Sequence, residues 1–308
     1  MKDLRTVIVH LDRRTAEAMP VDGGIREASV GGAAVNLALI ERHGREAIVF
    51  GAGPLTGTLA PASALLIGSF RPGAASGPAA QAAPSQSIRH VPLLVTAGPD
   101  FRCSGIDHLV ILGTAERPTL LHLDGGRVLF VDPPPQPDGM SLRTSLRRTA
   151  PPFRSAILTG KSADAGAAFA SVSIDAKGSL DKVNLAGAMA AKNLRGLLLG
   201  GTGGVAFAAD DLRRSLEIAG KVKTLRKKGL GFDPFVRAAG GGDSLKSLKG
   251  ARIQEAACFH CPAPCMAHAR FAWSDPRRPQ GEKREESVLL MDHSGWIALA
   301  QRRPGTAL

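Results

Sequence analysis

Short apolar, often β-branched runs separated by turn residues dominate the N-terminal two thirds of the chain, and a helical period takes over after them. Thr6-Val-Ile-Val-His-Leu11, Ala47-Ile-Val-Phe50, Leu65-Leu-Ile67 and His108-Leu-Val-Ile-Leu-Gly113 have the length and composition of strands. His90-Val-Pro-Leu-Leu-Val-Thr96 is another, and its proline favours a sheet edge, where a missing N–H costs nothing. Thr119–Leu123 and Arg127–Val131 bracket Asp124-Gly-Gly126, which predicts a hairpin. One helix interrupts the set over Gly32–Arg42, with apolar Val35, Leu37, Ala38, Leu39 and Ile40. Strands over Ser155–Gly160, Ala168–Ile174 and Leu194–Leu199 follow, with an alanine-rich helix over Ala186–Asn193. Residues 72–88 and Pro133–Gly139 are Pro/Gly/Ala-rich breaks.

Beyond Gly204 the period changes. Asp210–Lys228 places Leu212, Leu216, Ala219, Val222 and Leu225 on one helical stripe, with Asp210 as the expected N-cap. A glycine loop (Gly240-Gly-Gly242), a cysteine loop, a charged stretch (Arg277–Glu286) and an apolar segment (Ser287–Ala300) complete the chain. These patterns predict an α+β protein with a boundary near residue 205. Residues 1–205 form a β-rich domain of two packed sheets, and residues 206–308 a short helical domain.

Length and composition narrow the class. The chain has 308 residues, 44% of them hydrophobic, without an apolar run long enough for a membrane span. The N-terminus mixes charges with a β-branched run and reads as a strand rather than a signal peptide. A soluble, cytoplasmic protein is expected. The formal charge is +12, yet only 4% of residues are aromatic and tyrosine is absent. Base-stacking platforms are therefore scarce, and the basic residues are scattered rather than clustered. An acidic protein partner, or an Arg-rich composition alone, fits this better than nucleic acid.

Three of the 4 cysteines crowd into Cys258-Phe-His-Cys261-Pro-Ala-Pro-Cys265. Neighbouring thiolates repel unless a metal neutralises them, so C-x2-C-x3-C reads as a ligand loop in a reducing compartment. Pro262 and Pro264 favour the non-helical backbone that lets thiolates converge. Three readings stand: a [4Fe–4S] cluster on Cys258, Cys261 and Cys265; a Cys3His zinc site with His268; or a vestigial loop of unligated thiols. The fourth cluster ligand would be His260, His268, a partner's residue or a small molecule. Cys103 is most simply a lone thiol near a turn. His10, His43, His90, His108, His122 and His293 show no paired ligand spacing and read as strand or surface residues.

Four collinear motifs then resemble one family. Ala52-Gly-Pro-Leu-Thr-Gly-Thr-Leu-Ala-Pro61 resembles the signature turn of the tungsten-containing aldehyde ferredoxin oxidoreductases. Val30-Gly-Gly-Ala-Ala-Val-Asn-Leu-Ala-Leu39 resembles that family's glycine-rich first helix. Ala168–Asp175 followed by Met189-Ala-Ala-Lys-Asn-Leu194 resembles its Lys-Asn-Leu strand, and Cys258–Cys265 its cluster loop. The resemblance implies a cofactor-base domain of two sheets, with Gly53, Thr56, Gly57, Lys192 and Asn193 as the cofactor-facing positions. It implies a [4Fe–4S] cluster at the cysteines and a ferredoxin or other redox subunit as partner, which could also supply the fourth cluster ligand.

The resemblance covers only the N-terminal half of the longer catalytic members, and the retained half departs from their pattern. Gly178-Ser-Leu-Asp-Lys-Val-Asn-Leu-Ala-Gly187 replaces a glycine-rich loop, so that Asp181, Val183 and Leu185 are expected to face the cofactor approach. Ala64-Leu65-Leu66 stands where the family has an arginine, and residues 72–88 replace an Asn-Ser-Gly-Gly stretch. A tungsten or molybdenum pyranopterin is therefore not expected, no catalytic residue is assigned, and the Gly53–Thr58 turn is as well read as a strand-to-strand turn as an anion nest. The expected function is an accessory or truncated oxidoreductase subunit that passes electrons through the cluster. The alternative is a non-catalytic structural or interaction module of the same family.

Overall fold

The computed structural model describes residues 4–20, 24–25, 31–72, 87–134, 142–168, 170–175, 181–204, 209–227, 252–262, 266–274 and 283–290. Expectations for residues 73–86, 135–141, 176–180, Gly240–Gly242, Cys265 and 291–308 lie outside them. The chain divides into two units, residues 1–208 and 209–308.

The first unit holds two mixed sheets. Strands β1 (Arg5–His10), β2 (Thr15–Pro20), β3 (Ile48–Ala52), β4 (Leu66–Phe70), β5 (Arg89–Leu93) and β6 (His108–Leu112) order as β2-β1-β6-β3-β4-β5. The β1–β6 pair is parallel and every other pair antiparallel. As its proline predicts, β5 is an edge strand, with Pro92 opposite Ile67. The second sheet, β10-β9-β11-β7-β8, is built from β7 (Thr119–Asp124), β8 (Arg127–Val131), β9 (Ser155–Leu158), β10 (Ser173–Ile174) and β11 (Leu194–Leu199). Here β11 and β7 run parallel. The β7–β8 hairpin closes through Gly125 (φ 59) and Gly126 (φ 81), a pair of left-handed residues that only a two-glycine turn adopts without strain.

Helix α1 (Ala33–His43) covers one face of the first sheet, burying Val35, Leu39 and Ile40 against Ile8, Val49 and Val110. Each such side chain contributes about 1.5–3 kcal/mol on burial. Helices α2 (Ala97–Cys103) and α5 (Leu185–Ala191) touch strands of both sheets and join them. Gly68 of β4 makes this possible, since a Cβ there would come within 2.7 Å of Leu185 Cδ2. Helix α3 (Leu142–Thr149) covers the second sheet through Leu146, beside Leu120, Phe153 and Leu198, and α4 (Lys161–Asp164) is a single turn. Of the strand expected over Ala168–Ile174, only Ser173 and Ile174 pair, against β9.

The second unit carries α6 (Ala209–Lys227) and a three-stranded antiparallel sheet, β12 (Arg252–Ala256), β13 (Met266–Ser274) and β14 (Lys283–Leu290). The helix matches its predicted span, and the sheet stands beside it as an addition to the expected helical domain. Asp210 lies inside the first turn rather than at the N-cap, where its charge complements the helix dipole and pairs with Arg213 at 3.0 Å. The predicted apolar stripe is packed only in part: Leu212, Leu216 and Leu225 are exposed, while Ala219 and Val222 are half-buried on the face that carries the buried Ser215. Among the described residues no helix is long and apolar enough to cross a membrane.

Candidate functional site

The turn that carries Gly53, Thr56 and Gly57 links β3 to β4. An anion cradle needs backbone N–H groups directed outward. Here they are spent inside. Gly53 N–H donates to Thr56 Oγ1 (3.0 Å), and Thr56 N–H returns a bond to Gly53 O (3.1 Å). Gly57 N–H donates to Ser63 O (2.7 Å) and Thr58 N–H to Leu55 O (3.1 Å). The buried Thr56 hydroxyl also donates to Leu65 O at 2.7 Å. Releasing any one of these bonds for a ligand costs about 0.5–1.5 kcal/mol.

Lys192 and Asn193 sit at the junction between α5 and β11. Lys192 is buried, and its ammonium donates to Gly113 O at 2.9 Å. Burial pushes its pKa below the usual lysine value, against the opposing pull of Glu46 and Asp12. Asn193 adopts φ 54 and donates from Nδ2 to Ala115 O at 2.7 Å. Ala115 N–H in turn donates to Lys192 O, and Thr119 N–H to Asn193 O. Both side chains thus tie the β6–β7 connection to the start of β11.

Asp181 was expected to face the cofactor approach. Its carboxylate instead accepts from Leu185 N (2.9 Å), Ala186 N (3.0 Å) and Val172 N (3.3 Å), capping α5. Asn184, at φ 65, adds a bond from Gly187 N at 2.9 Å, and Leu185 is turned into the core. The described donors at these positions are therefore occupied by the protein itself.

The cysteine turn differs. Cys261 N–H donates to Cys258 O at 3.1 Å, closing a β-turn that holds both residues of the C-x2-C step. His260, third in the turn, adopts φ 53, a left-handed conformation that costs a non-glycine residue about 1–2 kcal/mol. Its Nε2 lies 2.8 Å from Oγ of Ser215, which α6 presents at 3% exposure. His260 is therefore engaged by α6. Phe259 beside it is partly exposed, with its ring centroid 6.1 Å from that of His260. Cys265 lies outside the described residues, and among those described no cluster of three or more His, Cys, Asp or Glu groups is arranged to hold a metal. The sequence offered no signal for Ser215, a serine among leucines.

Cys103 belongs to the first unit, at the end of α2, and burial raises its thiol pKa, which makes it a poor nucleophile. His108 and His122 are strand residues, as expected, and both are buried. Asn36 Nδ2 donates to Ile67 O (3.0 Å) and Ser69 Oγ (2.9 Å), which orients its amide. Asn36 Oδ1 then accepts from Nδ1–H of His108 at 3.1 Å. Several arginines of the first unit are paired within it: Arg14 and Arg117 with Asp132, Arg154 with Asp100, Arg143 with Asp175, and Arg195 with Asp164. Arg147 stacks on Phe153 at 4.1 Å.

Comparison with known proteins follows the fold. No curated protein matches the sequence. In solved structures the chain is similar to the active site complex BamBC of benzoyl coenzyme A reductase in complex with 1,5-dienoyl-CoA, with a TM-score of 0.68 at 14% identity. The match covers 92% of this chain and 48% of that one, so the chain spans about half the length of the structure it resembles. At that identity the likeness is one of fold. Residues 6–201 match the family description "aldehyde ferredoxin oxidoreductase, N-terminal domain". The chain belongs to the aldehyde ferredoxin oxidoreductase family through this N-terminal domain, and is a relative of its oxidoreductases.

Proposed function

We propose that this protein is an accessory redox subunit of its family, with an iron–sulfur cluster at Cys258, Cys261 and Cys265 and without a pyranopterin. The observation that carries the reading is the closed Cys258–Cys261 turn, which brings two thiol residues of the C-x2-C-x3-C loop onto one tight bend. Three soft thiolates are the donor set that suits iron–sulfur chemistry. A bound cluster would supply one-electron storage. The chain's own residues would hold it, and Phe259 and Pro262 would limit water around it and so tune its potential. The setting would be reducing, as in the cytoplasm. An acidic redox protein is the proposed partner, since α6 presents exposed Arg213, Arg214, Lys221 and Lys223 among exposed Leu212, Leu216 and Leu225.

Anaerobic reconstitution tests this. The protein should turn brown with absorbance near about 400 nm, and Cys258→Ser, Cys261→Ser and Cys265→Ser combined should abolish the colour. A colourless wild type would overturn the reading. A second reading, a non-catalytic structural module, is favoured by the Gly53–Thr58 turn and by Lys192 and Asn193, all of which bond within the protein. It predicts that the triple variant keeps both the stability and the partner binding of the wild type.

A further inference from the structure

We infer that Ser215 of α6 is a positioning residue for the cysteine loop: through its hydrogen bond to His260 it sets the turn that presents Cys258 and Cys261. This rests on the cluster reading above for what the thiols bind.

The geometry has three parts. His260 sits between the two cysteines of the closed turn, so its backbone conformation decides how Cys258 and Cys261 face one another. That conformation, φ 53, costs a non-glycine residue about 1–2 kcal/mol, so a contact from outside that fixes the ring helps to hold the turn. The described contact that does so is the 2.8 Å approach of His260 Nε2 to Ser215 Oγ, one or other carrying the proton according to the histidine tautomer. Ser215 is the most deeply buried of the described residues of α6, at 3% exposure, on a face it shares with half-buried Ala219 and Val222 and flanked by exposed Arg214 and Leu216. A hydroxyl at the buried position of a helix whose leucines face water is a poor choice for packing alone. It is a good choice where a polar partner has to be reached.

The same bond restricts His260. A histidine that ligates iron through Nε2 cannot also share that nitrogen with a serine hydroxyl. With Nε2 committed to α6, the ring is tied between helix and turn, and any ligation by His260 would have to use Nδ1.

The test uses the full-length chain, reconstituted anaerobically with iron and sulfide, and three variants: Ser215→Ala, His260→Gly and His260→Ala. Two quantities are read: the rate at which a chelator strips the cluster, and the electron paramagnetic resonance signature of the reduced cluster. The expected result is that Ser215→Ala speeds stripping about tenfold with an unchanged signature, because the ligands are unaltered. His260→Ala should behave like Ser215→Ala, and combining the two should be no worse than either, as the same bond is removed in each case, whereas His260→Gly, which adopts the φ of the turn without help, should recover part of the loss. An unchanged stripping rate in Ser215→Ala would overturn the proposal.

If the wild type takes up no iron, the cluster reading fails separately, and the positioning claim is still measured on the metal-free chain. There Ser215→Ala should change the iodoacetamide alkylation rates of Cys258 and Cys261 while leaving that of Cys103 alone. Identical rates in wild type and variant would overturn the positioning claim as well.

Discussion

Lys192 Nζ lies 2.9 Å from the carbonyl oxygen of Gly113, a partly buried bond that pins the loop after β6 to the junction of α5 and β11. Lys192 thus serves the fold. Lys192→Met removes the donor to Gly113 O, a loss of about 1.5 kcal/mol for a partly buried hydrogen bond to a charged group. Urea unfolding should show a lower midpoint at unchanged slope. An unaltered midpoint would mean that this bond does not hold the fold.

Gly51 is the second position where the fold leaves no freedom. A Cβ there would collide with Asn36 Oδ1 and His108 Nδ1, the two atoms of a buried hydrogen bond. Gly51→Ala should therefore cost about 3 kcal/mol, from overpacking together with the displaced bond. Thermal melting checks it, and a change below about 1 kcal/mol would show that the Asn36–His108 pair can move aside.

Stability should depend on pH through His108. Burial lowers its pKa from 6.5 to about 4, with Asp107 opposing and Arg102 assisting. The folded chain keeps this ring neutral where the unfolded chain protonates it. Below about pH 6.5 the unfolded state therefore binds the extra proton, and stability falls as pH drops towards about 4, by an amount approaching about 3 kcal/mol. His43 and His90 shift in the same direction, both chiefly through burial, so the comparison needs a variant. His108→Asn keeps a donor for Asn36 without the titration. Its urea midpoints between pH 7 and 4.5 should fall less steeply than those of the wild type, and parallel curves would contradict the assignment.

Asp181 predicts a fourth stability effect. Its carboxylate takes the N–H groups of Leu185 and Ala186 at the start of α5, the helix that joins the two sheets. Asp181→Ala should cost about 1–2 kcal/mol. Asp181→Asn should recover part of that, since its amide oxygen still accepts a bond. If both variants unfold like the wild type, the carboxylate is not a cap.

These residues also mark how far the chain can be read from its letters. The strands with β-branched runs, the Gly125-Gly126 hairpin and the Pro92 edge were legible because local preference and tertiary placement agree there. Strand β2, Thr-Ala-Glu-Ala-Met-Pro, was not, because it has little strand preference and forms by pairing with β1. Helix α2 contains Gly98 and Pro99, which hide it locally; it is held by buried Phe101. The cysteine spacing announced a ligand loop, but a motif names residues and not their bonds. Lys192, Asn193 and Thr56 match cofactor positions in sequence, and coordinates were needed to find their side chains joined to Gly113, Ala115 and Leu65. Ser215 had no sequence signal, because its partner lies 45 positions away.

The central claim is a family member that holds iron at its cysteine loop and no pyranopterin. Elemental analysis of anaerobically purified, full-length protein for iron, sulfide, zinc, tungsten and molybdenum tests it most directly. About four irons per chain with matching sulfide, and neither tungsten nor molybdenum, is the predicted result. Tungsten or molybdenum near one per chain, or a chain without iron after reconstitution, would contradict it.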